Sequence, residues 1–246
     1  MILLTGIWAK LIAGSIAVLT SVRFGAGLYF WRQTELLERP EYTVIQQLSD
    51  GVELRKYEPY LIAETIVDGV GFKEPTGDGF RSCAKYIFGK NKPRATGGRL
   101  LSLFHKNNNG DKGEAMAMTA PVRVDGSNNN NQKTKVSFVV GKKYSLKTAP
   151  IPIDKNVKLR QVPSHTLAVR KFSGPPPNDE RVEKERKRVV AALQTANIEM
   201  KDKSSSLSSS SANDSGNTLV MGYHDPFITP NFLRRNEVAL VVEGNM

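Results

Sequence analysis

In 246 residues the chain has one cysteine, Cys83, and three histidines, His105, His165 and His224. A single thiol excludes an internal disulfide, a thiolate metal cluster and a CxxC redox pair. The histidines show no HxxxH or HExxH spacing, which argues against zinc. There is no GxSxG elbow, and Cys83 has no recognisable base, so it reads as a small buried residue on a helix. Gly69-Val70-Gly71 is followed by neither Lys-Ser/Thr nor a GxGxxG helix start, so it is no phosphate loop. Without a nucleophile–base set, a binding or interaction protein is expected ahead of an enzyme.

Acidic residues are missing from Met1 to Thr34, where only Lys10, Arg23 and Arg32 carry charge. Leu11 to Val22 is a run of mostly apolar residues, and Phe24 to Trp31 resumes it. A window opening at Ile2 or Ile7 reaches the roughly 20 residues that a membrane span needs. Tyr29-Phe30-Trp31 followed by Arg32 suits an interfacial belt. The same acid-free, Arg-containing composition fits an organelle transit peptide, for plastid or mitochondrion, and the short apolar run fits a signal peptide. Residues 1–40 are therefore set apart as an anchor or targeting segment, with a soluble helix as the last alternative. Residues 41–246 form the globular part, large enough for a full core.

The charge balance is basic, 35 Lys plus Arg against 24 Asp plus Glu. Such a surface suits nucleic acid, anionic lipid or a small anion. No aromatic-and-basic stripe or nucleic-acid motif is present, so nucleic acid is not expected as a partner.

The chain repeats itself. Val52-Glu53-Leu54-Arg55 with Ala63 recurs as Val157-Lys158-Leu159-Arg160 with Ala168, and Met118-Thr119-Ala120-Pro121-Val122 is answered by Tyr223-His224-Asp225-Pro226-Phe227. The shift is 105 each time (157 − 52, 168 − 63, 226 − 121). Two similar halves, about 41–150 and 151–246, predict a pseudo-twofold joint that forms a cleft. In the first half the alternation predicts strands at 41–47, 52–56, 60–67, 116–124 and 135–140. Between them the spacing predicts a helix over 73–88, with Phe72, Phe80, Cys83, Ala84, Ile87 and Phe88 mainly on one face and Gly89 as its stop. In the second half it predicts strands at 157–160, 166–172, 219–223 and 237–243. The helix there covers 180–195 and is capped by Asn178 or Asp179, with Glu183 to Arg188 mostly on its wet face. Each half reads strand–strand–helix–strand–strand, an α+β unit of antiparallel character. Three polar inserts, 107–110, 128–132 and 204–217, interrupt the pattern and are expected to be disordered.

Tyr42 to Ile45, Val52 to Tyr57, Ala63-Glu64-Thr65, Gly79-Phe80, Tyr86 to Asn91 and Met118 to Val122 together resemble the SOUL/haem-binding protein family. Tyr223…Pro226-Phe227…Arg234-Arg235-Asn236-Glu237-Val238 resembles its closing motif. The resemblance covers about residues 41 to 244. It implies a distorted antiparallel β-barrel with two long helices, built from two pseudo-symmetric halves. It further implies non-enzymatic binding, buffering or transport of haem or another tetrapyrrole, without covalent attachment and often without an axial ligand. The ligand would lie in an apolar cleft beside the first helix of the domain, with basic residues near its propionates. Carried over motif by motif, the cleft candidates are Phe80, Ala84, Ile87 and Phe88, with Lys85 for a propionate. The C-terminal loop would add Tyr223, Phe227 and Phe232, and Arg234 and Arg235 as anion partners. Members with a haem-ligating histidine place it early in the domain, where this chain has none between Glu41 and Phe80. The fold is shared with bacterial effector-binding domains, which keeps an effector-binding or protein-interaction scaffold open. The second helix is charged where the first is aromatic, so one site per chain, in a monomer, is expected.

Overall fold

The computed structural model describes residues 2–69, 72, 74–94, 113–126, 133–200 and 218–242. The three polar inserts and His105 lie outside the described residues.

A long helix, α1 (Ile2–Glu35), precedes the domain. The strands β1 (Tyr42–Gln47), β2 (Val52–Tyr57) and β3 (Tyr60–Asp68) lead into α2 (Glu74–Ile87). After the short β4 (Asn91–Lys92) come β5 (Val122–Gly126), β6 (Lys133–Val140) and the short β7 (Ile151–Pro152). Then follow β8 (Val157–Val162), β9 (His165–Phe172), α3 (Asp179–Thr195), β10 (Thr218–Gly222) and β11 (Asn236–Val242). Nine strands form one antiparallel sheet in the order β1-β2-β9-β11-β10-β5-β6-β3-β8, curled into a half-barrel whose edges are β1 and β8. β4 pairs with β7 as a separate two-stranded ladder.

With the edge strand β1 set aside, exchanging β2 with β8, β3 with β9, β5 with β10 and β6 with β11 returns the order of the remaining eight strands. The shift of 105 holds for β2/β8 (157 − 52) and β3/β9 (165 − 60). It fails at the proline match. Pro121 precedes β5 whereas Pro226 follows β10, and the two strands differ by 96 (218 − 122). The strand expected over 116–124 also starts only at Val122, because Met116 to Pro121 run as irregular backbone.

The pairing register carries one face across the sheet. Val136 stands opposite Val124, Val124 opposite Val220, and Val220 opposite Val238. Both domain helices pack on this face. Cys83, Ala84, Tyr86 and Ile87 of α2 bury against Ala63, Phe138 and Val140, while Val189, Ala192 and Leu193 of α3 bury against Val52, Leu54 and Leu240. Each fully buried aliphatic side chain contributes about 1.5–3 kcal/mol. α2 can approach this closely because residue 79 is glycine: a Cβ there would stand 2.6 Å from Val136. Asn178 caps α3 by accepting from the Arg181 N–H at 3.0 Å, as its sequence position predicts.

The charge run on α3 is not all solvated. Glu185 is fully buried and pairs with Arg170 on β9 at 2.9 Å and with Arg181 at 2.8 Å, locking the helix to the sheet. The opposite face of the sheet carries its own apolar cluster of Leu167, Val169, Leu219, Met221 and Ala239, joined by Tyr57 and Tyr223 and covered by Leu37.

Candidate functional site

α2 carries four of the residues expected from the sequence, and Phe88 follows directly on its last turn, its N–H donating to the Ala84 carbonyl at 2.9 Å, but the five do not share one environment. The helix axis rises about 1.5 Å per residue, and positions i, i+4 and i+8 form a row. Phe80, Ala84 and Phe88 are such a row, about 12 Å long. Phe80 and Phe88 are 41% and 64% exposed, with the small Ala84 between them. Phe80 is held edge-on against the buried Phe138, ring centroids 5.1 Å apart. Lys85 is exposed beside Phe88 (i, i+3) and one turn from Arg81, which pairs with Asp78. The result is an apolar strip of two open rings on either side of Ala84, with Lys85 and the Asp78-paired Arg81 at its edge. Ile87, by contrast, is 2% exposed and belongs to the core, as does Cys83, whose thiol is pushed up to about 12 mainly by burial. A thiol so held is a poor nucleophile.

The C-terminal loop lies along α1. Phe232 stacks on Phe24 at 6.3 Å, and Arg23 donates to the Phe227 carbonyl at 3.2 Å. Arg234 is buried and donates to the Thr229 carbonyl at 2.7 Å, shaping the loop from within. His224 accepts from the Arg235 N–H through Nδ1, and its Nε2 sits 3.1 Å from Glu35 of α1.

Tyr223 and Arg235 join a buried network on the face opposite the helices. Glu237, with no exposure, accepts from the Tyr223 hydroxyl at 2.7 Å, from Arg55 at 3.1 Å, and from Arg235 Nη2 and Nε at 2.6 and 3.0 Å. The Arg235 guanidinium also lies over the Tyr223 ring at 4.3 Å, and that of Arg55 over Tyr42 at 4.5 Å. Burial and the Glu237 charge push the Tyr57 hydroxyl up to about 12 and that of Tyr223 well above its ordinary value. In the sequence Glu237 stands out only as part of the closing motif, and nothing in its local sequence marks it as the buried hub of this network.

His165 is half-buried and stacked on Tyr57 at 5.4 Å, on the same face as the network. Its Nδ1 sits 2.8 Å from the Pro163 carbonyl, which can only accept, so the neutral ring carries its proton there. Burial holds its pKa below the usual value. Neither His165 nor His224 stands on the α2 face. Among the described residues, the groups at α2 therefore fit a tetrapyrrole by apolar contact plus a cation for carboxylate, with no imidazole beside them.

A family model described as SOUL heme-binding protein matches residues 37–241, which is 205 of the 246 residues. The chain belongs to the SOUL heme-binding protein family. No curated protein matches. Solved structures with some likeness include a crystal structure of a hydrolase from Listeria innocua, 9% identical with a TM-score of 0.48, covering 78% of this chain and 91% of that one. The structure of SAV2435 bound to tetraphenylphosphonium is 11% identical with a TM-score of 0.38, covering 83% and 94%. The EcmrR–DNA complex is 11% identical with a TM-score of 0.42, covering 93% and 69%. At this level of similarity, neither the hydrolase name nor the bound cation transfers to the present SOUL chain.

Proposed function

We propose that this SOUL-family chain binds haem or a related tetrapyrrole without catalysing a reaction on it. The macrocycle would lie on the α2 strip and be buffered or carried at a membrane to which α1 tethers the domain. The observation that carries this reading is the pair of exposed rings Phe80 and Phe88, on either side of the buried Ala84, with exposed Lys85 at their margin. Two phenylalanines left in water on a helix whose other apolar residues are buried are a site waiting for apolar surface. A flat ring that covers them gains about 25 cal/mol per Å² of apolar area, less the cost of ordering. Lys85 then meets a propionate, and Arg81 lies within a turn of it. The opposite face already holds Tyr57, Tyr223, Arg55, Arg235 and Glu237 in a closed network, so it is not the face assigned to the ligand.

Lys85→Ala tests the orientation of the ring. If Lys85 meets a propionate, the variant loses its preference for free-acid porphyrin over the dimethyl ester, while wild type keeps it. Fluorescence-quenching titration of both porphyrins reads the ratio. An unchanged preference in the variant removes Lys85 from the site.

The same strip would suit an apolar segment of a protein partner, the reading in which the domain is an interaction scaffold. Failure of the chain to take up any porphyrin would favour it.

A further inference from the structure

α1 is one helix long and apolar enough to cross a membrane, with Ile12–Glu35 meeting that criterion. Its C-terminal half does not stand free of the domain. Residue 27 is glycine, and a Cβ there would stand 2.8 Å from Pro230. Together with the Arg23–Phe227, Phe24–Phe232 and Glu35–His224 contacts, this close approach lays residues 23–35 along the loop between β10 and β11.

That loop is stiff and presents apolar side chains to solvent. Asp225 accepts from the Phe227 and Ile228 N–H groups at 2.7 and 2.8 Å, the Gly174 N–H donates to the Asn231 carbonyl, and Arg234 holds Thr229 from inside. Yet Phe227 is 78% exposed and Phe232 64%, with Ile228 and Phe24 also open. Nothing in the local backbone requires phenylalanine at these positions. A rigid loop that holds aromatic rings in water presents them to another apolar phase.

We propose that the loop 225–233 is a second membrane contact, with Phe227, Ile228 and Phe232 seated in the lipid interface beside α1. This rests on reading α1 as a retained span, and the helix itself sets the depth. The hydrocarbon layer is about 30 Å thick, or about 20 helical residues. If the span is 2–22, Arg23 and the loop lie at its boundary. If it is 11–31, they lie within it. The second would set irregular loop backbone in hydrocarbon, where its N–H and C=O groups go unpaired, so the first is the register that fits. The first also places the Arg23 guanidinium among headgroups, where a cation is stable. The domain is then fixed on the bilayer by two points instead of swinging on a tether.

The test uses the full chain reconstituted in phosphatidylcholine vesicles. Its only native cysteine is buried, so a single introduced cysteine takes an environment-sensitive fluorophore. The fluorophore is placed in turn at Phe227→Cys, Phe232→Cys, Val18→Cys in α1, and Lys133→Cys as the aqueous control. Lys133 starts β6 five residues before Phe138, which shares a register with Val122 and Gly222 at the loop end of the sheet, about 17 Å along the strand. Lipid spin-labelled near the headgroup should quench the fluorophores at 227 and 232 to an extent comparable with that at 18, and leave the one at 133 bright. Quenching at 18 without quenching at 227 or 232 overturns the loop contact while leaving the anchor standing. Absence of quenching at all three overturns both.

Discussion

Glu237→Ala will lower the unfolding temperature of the domain by about 6–20 °C. The expectation follows from what the alanine leaves behind. Arg55 and Arg235 have side chains 3% and 13% exposed, and Glu237 neutralises both while accepting from the Tyr223 hydroxyl. Removing one partner from a buried ion pair costs about 3–5 kcal/mol when the remaining charge is left unpaired; here Arg235 loses its carboxylate, whereas Arg55 keeps Glu53 at 2.7 Å. For a domain of this size each kcal/mol moves the midpoint by about 2–4 °C. Glu237→Gln keeps an acceptor for Tyr223 and should fall between wild type and the alanine variant. Thermal unfolding of the full chain followed by circular dichroism checks the order. A Glu237→Ala midpoint within about 2 °C of wild type would show that the network is solvated and not structural.

Phe80→Ala combined with Phe88→Ala will weaken hemin binding by about 50-fold. Each ring is partly exposed in the free chain, so covering its remaining surface contributes about 1–1.5 kcal/mol. Two such losses come to roughly 2–3 kcal/mol, and each 1.4 kcal/mol is tenfold in affinity. Phe88 makes none of the core contacts of α2, so its removal should leave stability unchanged. Phe80 gives up an edge-on contact with Phe138 worth about 0.5–1.5 kcal/mol. Phe232→Ala is the informative comparison, because that ring stacks on Phe24 of α1. Its hemin affinity should stay within about twofold of wild type. A loss at Phe232 as large as that of the α2 pair would move the ligand site to the C-terminal loop.

Some parts of this molecule are legible from its residues and others are not. The strand alternation, the helix caps and the repeated Val-x-Leu-Arg segments predict most elements of the sheet, because side-chain period and capping chemistry are local. Asn178 caps α3 and the shift of 105 survives in β2/β8 and β3/β9 for that reason. Pro121 and Pro226 look equivalent in sequence and are not. Strand pairing, which is non-local, decides that one enters a strand and the other leaves one. Periodicity puts Phe80, Ile87 and Phe88 on one side of a helix. It cannot separate the core residue Ile87 from the exposed ring Phe88 one position later, because that depends on where the sheet ends beneath α2. Glu185 reads as one more surface charge in Glu183 to Arg188. Its burial requires knowing that Arg170, fifteen residues earlier on another element, stands beneath it. The docking of α1 on the C-terminal loop leaves a faint mark at Gly27, a small residue inside an apolar run. Only the facing Pro230 gives that glycine a meaning.

Membership of the SOUL family and the exposed rings Phe80 and Phe88 point to one proposal, that the folded chain itself takes up a tetrapyrrole. Titrating the purified full-length protein with hemin at micromolar concentration, and recording the Soret difference spectrum, tests it directly. A saturable Soret shift reaching one equivalent per chain is the expected result, and the Phe80/Phe88 double variant should displace the curve to higher hemin. A flat difference spectrum from folded wild-type protein would contradict it.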